Sequence, residues 1–79
     1  MQVRFFAAAA AAAECEATAS TASSLAKLRD ELVRTLPQAF AEVLPQCSYF
    51  VDGVRYEPTA DCPLDSVSTV DVLPPFAGG

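Results

Sequence analysis

The sequence predicts an α+β domain: a small mixed sheet packed on one amphipathic helix. Three observations carry this. Short alternating apolar runs lie near both ends, one leucine stripe at helical spacing lies between them, and an Asp-Gly turn interrupts a β-rich stretch. A lone sheet this small would leave its apolar face wet, so the helix must cover it. At 79 residues there is room for a single core.

The elements follow in order. "QVRFF" at 2–6 alternates, with Val3 and Phe5 on one face and Arg4 and Phe6 on the other. Ala7–Ala13 is low in complexity, and alanine is the best helix former, so a short helix is expected. "ECEATAS" at 14–20 reads as a second strand of small residues with poor alternation. In "SSLAKLRDELVRTL" (23–36), Leu25, Leu28, Leu32 and Leu36 recur at spacings of three and four, with Val33 beside them. Lys27 with Glu31, and Asp30 with Arg34, sit four apart on the expected solvent side. Pro37 should end or kink this helix, and "QAFAEVL" (38–44) adds a further turn or two before Pro45.

"SYFVDGVRYE" (48–57) is a hairpin about Asp52-Gly53, a dipeptide suited to a tight type I′ turn. "PTADCPLD" (58–65) is loop, and "STVDVL" (68–73) is the last strand, Val70 and Val72 facing one way, Asp71 and Leu73 the other. Residues 1–73 therefore make the domain and 74–79 an extended tail. The six tail residues would reach about 20 Å at roughly 3.3 Å each. Pro74 and Pro75 favour polyproline-like extension, while Gly78 and Gly79 lack Cβ atoms and suit a narrow channel.

Composition excludes several functions. Ten acidic against five basic residues give a net charge of −5, which disfavours nucleic acid and anionic membranes and suits a basic protein partner. The sequence has no histidine, and its three cysteines, Cys15, Cys47 and Cys62, form no CxxC, so a Cys/His zinc site and a histidine base are both excluded. Three reduced thiols in a cytoplasmic protein are expected, none of them carrying chemistry. The start, "MQVRFFAAAAAAAECEA", looks superficially like a secretory signal, but alanine is a weak hydrophobe and cleavage would remove a strand. No run reaches the roughly 18 apolar residues of a membrane span. Nor is there a GxxxxGK[ST] loop to hold ATP.

The order of strand, strand, helix, hairpin and strand matches the β-grasp, or ubiquitin-like, arrangement, in which the first and last strands pair in parallel at the sheet centre. Within that order, "VRFFA" at 3–7, "FVDGV" at 50–54 and "VDVLPPFAGG" at 70–79 resemble the MoaD/ThiS sulfur carriers, most closely the molybdopterin synthase small-subunit type. The likeness spans essentially the whole chain. One departure is visible: family members often carry an Arg-Glu pair after the first strand, where this chain has only Ala7–Ala13 before Glu14.

The resemblance implies that Gly79 is the reactive residue, through its terminal carboxylate. An E1-like adenylyltransferase would activate that carboxylate with ATP, and a persulfide donor would supply sulfur to make a thiocarboxylate. The tail would then enter the molybdopterin synthase large subunit and pass its sulfur to a pterin precursor. No cofactor or metal is expected on this chain, since ATP is used by the activating partner. Phe6 and Leu73 would dock from the helix-free face, with Pro74, Pro75, Phe76 and Gly78 following the tail into the partner. A carrier for thiamine or cysteine synthesis would share this activation chemistry. A ubiquitin-like modifier would differ only in its acceptor, and a secreted structural domain would require a cleaved N-terminus.

Overall fold

A computed structural model describes residues 1–75. Its five strands are β1 (Gln2–Phe5), β2 (Ala17–Ala19), β3 (Ser48–Val51), β4 (Val54–Tyr56) and β5 (Thr69–Leu73). They form one mixed sheet in the order β2-β1-β5-β3-β4. The central pair, β1 and β5, is parallel, with Val3 opposite Val70 and Phe5 opposite Val72. The other neighbours are antiparallel. Period-two alternation puts all four of these apolar residues on one face, and all four are buried.

That face is covered by α1 (Ala8–Ala13), α2 (Leu25–Thr35) and α3 (Gln38–Val43), with a 3₁₀ turn at Leu44–Gln46. The expectation of one covering helix is thus corrected to three. An 11-residue helix is about 16 Å long, while five strands span roughly 20 Å or more across the sheet. The shortfall is filled by Ala9 and Ala13 of α1, by Phe40 of α3 and by Leu44, all buried in the same core. Phe40 meets Phe5 edge to face, with ring centroids 5.3 Å apart.

On α2, Leu25, Leu28 and Leu32 are fully buried, but Val33 is 45% exposed and does not belong to the buried stripe. At 100° per residue it turns past the sheet and borders a surface groove with Leu44, Pro45 and Pro58. The two expected i,i+4 ion pairs do not form among the described residues. Instead the Ser20 hydroxyl donates to Glu31 (3.1 Å) and Lys27 donates to the Ser23 hydroxyl (3.3 Å).

The N-terminus of α2 explains why the long 57–68 connection is orderly. The Leu25 N–H donates to the Cys62 carbonyl (2.9 Å), Ala26 to the Asp61 carboxylate (2.9 Å) and Lys27 to the Ser24 hydroxyl (3.2 Å). These donors would otherwise be orphans of the first helical turn. Arg29 adds a clamp, donating to the Ala60 carbonyl at 2.7 Å while its guanidinium lies 5.7 Å from the centroid of the Tyr49 ring. Burial pushes the Tyr49 phenol up to about 12, opposed by Arg29, and its hydroxyl has no hydrogen-bond partner among the described residues.

The hairpin turn has the positive φ values of a type I′ turn, 45° at Asp52 and 86° at Gly53. Asp52 does more than turn the chain. Its carboxylate accepts from the Thr69 N–H (2.9 Å) and the Ser68 N–H (3.2 Å), tying the hairpin tip to the start of β5. Those bonds, chiefly the one from Thr69, hold its carboxyl below the usual carboxylate range. A lowered native pKa stabilises the fold above the unfolded value, near 3.9, and that contribution fades as pH falls through the lower native value. Asp52→Asn keeps the turn and one acceptor oxygen but does not titrate. Melting temperature followed against pH should show the parent above the variant at neutral pH, with the gap closing below about pH 4. A gap independent of pH would contradict this account of Asp52.

Candidate functional site

The opposite, helix-free face of the sheet begins from the same alternation. With Val3, Phe5, Val70 and Val72 turned inward, Arg4, Asp71 and Leu73 point outward. Arg4 and Asp71 sit opposite each other in the parallel register and close a bidentate pair, Nε to Oδ1 at 2.6 Å and Nη2 to Oδ2 at 2.9 Å. The Arg4 guanidinium also lies 6.0 Å from the centroid of the Phe6 ring. A second pair joins Arg55 of β4 to Glu57, just beyond that strand, at 2.6 Å, and Arg55 also donates to the Ser48 hydroxyl at 3.1 Å.

Phe6 is 40% exposed, and its N–H donates to the Val72 carbonyl at 3.2 Å, extending the β1–β5 ladder by one step. Leu73 is half-buried and pairs with Ser48 of β3. Continued by one step, the central register sets Phe6 beside Leu73, both two residues beyond the ion pair at the same end. Pro74 is half-buried and Pro75 exposed. Phe76, Gly78 and Gly79 lie outside the described residues. Phe50, half-buried and opposite both Arg55 and Asp71, also belongs to this face, though the sequence reading did not single it out. Its position in "SYFVDGV" as an alternate of the inward Tyr49 and Val51 was the available signal.

Two concavities flank the central pair. One, of about 580 Å³, lies at the root of the tail, where Ser48, Phe50, Arg55, Leu73, Pro74 and Pro75 line it. Its charged groups satisfy one another, so it offers mainly apolar surface. The other, of about 450 Å³, lies at the β1–α1 corner. That corner is a type II′ turn in which the Ala9 N–H donates to the Phe6 carbonyl at 3.0 Å. Ala7 takes its first central position at φ 51°, ψ −127°, a conformation that glycine normally supplies.

The thiols stand apart from this face. Cys47 is fully buried, donates to the Val43 carbonyl at 3.4 Å, and is pushed by burial up to about 11, which disfavours the thiolate. Cys15 and Cys62 are half-buried and free. Among the described residues no group of three His, Cys, Asp or Glu side chains is placed to hold a metal, and no helix is long and apolar enough to cross a membrane. No protein-family model matches the chain, and no curated protein matches it.

Two stability measurements check this division of faces. Phe5→Ala should cost about 3–5 kcal/mol by opening the core, whereas Phe6→Ala should stay within about 1 kcal/mol of the parent. A thermal melt in which Phe6→Ala falls as far as Phe5→Ala would reverse the assignment. Ala7→Gly should stabilise the fold by about 1 kcal/mol, since it relieves strain of roughly 1–3 kcal/mol and gives part back as unfolded-chain entropy. That corresponds to a rise of about 4–8 °C in melting temperature.

Proposed function

We propose that the chain is a β-grasp sulfur carrier of the MoaD/ThiS type, closest in kind to the molybdopterin synthase small subunit. The observation that carries this reading is the central β5 strand, paired in parallel with β1, which leads directly into Pro74 and Pro75. A strand anchored on both sides gives the tail beyond it a rigid base, and the apolar helix-free face beside it offers a place for a partner to grip. The sequence then supplies Phe76 and the Gly78-Gly79 end.

The chemistry belongs to the carboxyl of Gly79. A terminal carboxylate has a pKa of about 3.3–3.7, so near neutral pH it is an anion and a poor electrophile. Attack of that carboxylate on the α-phosphorus of ATP, in the E1-like partner, forms an acyl adenylate and releases pyrophosphate. The outer sulfur of a persulfide then attacks the carbonyl and expels AMP. A thiol reduces the resulting acyl disulfide and leaves the thiocarboxylate. In the large subunit that sulfur passes to the pterin precursor and the carboxylate is regenerated. The folded part of this chain contributes grip and reach, and none of its side chains takes part in these bond changes. A cytoplasmic setting agrees with the free thiols.

Incubation with an E1-like adenylyltransferase, ATP and a persulfide donor should exchange one oxygen for sulfur, read by intact mass. Deleting Gly79, or extending the chain beyond it, should abolish the exchange without altering the circular dichroism spectrum. Full thiocarboxylation of the shortened chain overturns the proposal, and conjugates with lysines of other proteins would favour the modifier class instead. Phe6→Ala and Leu73→Ala should each weaken binding to the large subunit roughly tenfold, since full burial of such a side chain contributes about 1.5–3 kcal/mol.

A further inference from the structure

The Ala7–Ala13 run plays no part in the tail chemistry, yet it shapes the recess at the β1–α1 corner. Ala7 and Ala10 line it with methyl groups, facing Phe6 and Ala17, and any larger residue at position 7 or 10 would intrude on the opening of about 450 Å³. Arg4, Phe5 and Glu16 complete the lining. Arg4 is already matched by the bidentate Asp71 carboxylate. Glu16 is exposed, and no cation lies within ion-pair distance of it among the described residues. Glu14, also exposed, lies at the other end of α1, where it takes the left-handed φ of 59° that ends the helix.

The recess therefore combines an aromatic ring and small apolar walls with one carboxylate, Glu16, that has no cationic partner among the described residues. We infer that it receives a basic side chain, lysine or arginine, from the protein that docks on the helix-free face. This rests on the reading of that face as a docking surface. The long aliphatic stem of such a residue would cover Phe6, Ala10 and Ala17 while its cationic head meets the Glu16 carboxylate. The Phe6 ring adds cation–π attraction. An apolar side chain fits worse, because it would strip water from Glu16 without pairing it. An acidic one would meet like charge. The net charge of −5 favours approach of a basic surface at long range.

The probe is the molybdopterin synthase large subunit from the same organism, titrated by calorimetry against the full chain at low and high salt. Glu16→Gln should weaken binding about three- to tenfold at low salt, with the difference shrinking as salt screens the pair. Ala10→Leu, which fills the recess, should weaken it comparably at both salt concentrations, with a thermal melt showing that the variant remains folded. Glu42→Gln, an exposed carboxylate on α3 away from this face, controls for net charge and should bind like the parent. If Phe6→Ala and Leu73→Ala weaken binding but Glu16→Gln does not, the basic side chain is wrong and the docking face stands. If Glu42→Gln weakens binding as much as Glu16→Gln, the effect is one of net charge and the inference falls. If the parent forms no complex at all, the inference and the reading beneath it fall together.

Discussion

The parallel pairing of β1 with β5 is the constraint on which the rest of the molecule depends. Parallel neighbours cannot be joined by a tight turn, so between Phe5 and Thr69 the chain must cross the face of the sheet before β5 can lie beside β1. The three helices are housed in that excursion, and the β3–β4 hairpin is placed at the far side of β5. The same pairing sets the inward residues Val3, Phe5, Val70 and Val72 in register, which concentrates the core at the sheet centre. A one-residue slip would turn Arg4 and Asp71 into that core and Phe5 and Val72 into water. Register is therefore enforced from both faces, by burial on one and by the Arg4–Asp71 fork on the other.

The cross-strand fork has a second consequence. In the proposed docking, an isolated arginine on the helix-free face would have to lose its water when the partner covered it. Paired bidentately with Asp71, it presents a small neutral rim beside Phe6 and Leu73. Arg55 is treated in the same way, by Glu57 and the Ser48 hydroxyl. The unpaired charge of the recess is left next to β2, on Glu16. In the proposed function this separates two jobs, apolar grip near the tail root and charge selection at the far corner.

Much of this was legible in the sequence, and the parts that were not have physical causes. The inward and outward residues of β1 and β5 followed from period-two alternation, and the hairpin followed from Asp52-Gly53, because both signals are local. The Arg4–Asp71 pair was not read, since its partners are 67 residues apart and only the strand pairing brings them together. Given a parallel first and last strand, two opposite charges at matching outward positions were the available sign. The help that α1 and α3 give in covering the sheet was hidden for another reason. A run of identical alanines has no apolar face for periodicity to detect, although Ala9 and Ala13 are buried by their position. Val33 was misread because a leucine stripe predicts a direction, and the width of the buried stripe is set by the neighbours. For the tail, Pro74 and Pro75 could be placed, and the proposed role of Gly79 rests on sequence alone.

The β1–α1 corner is held in a strained backbone conformation. Its type II′ turn asks for glycine and holds Ala7, a cost of roughly 1–3 kcal/mol in a domain of 79 residues with little stability in reserve. The strain persists because both sides of the turn are held: the Phe6 N–H by Val72, and the start of α1 by bonds from Ala9 to the Phe6 carbonyl and from Ala11 to the Ala7 carbonyl. Glycine would relieve the backbone, but it would also loosen the turn that aims Phe6 outward beside Arg4. A larger residue would keep the turn stiff and close the recess. Alanine is the one side chain that stiffens this corner without filling it, which is what the proposed docking, with Phe6 presented and a basic side chain admitted beside it, would require.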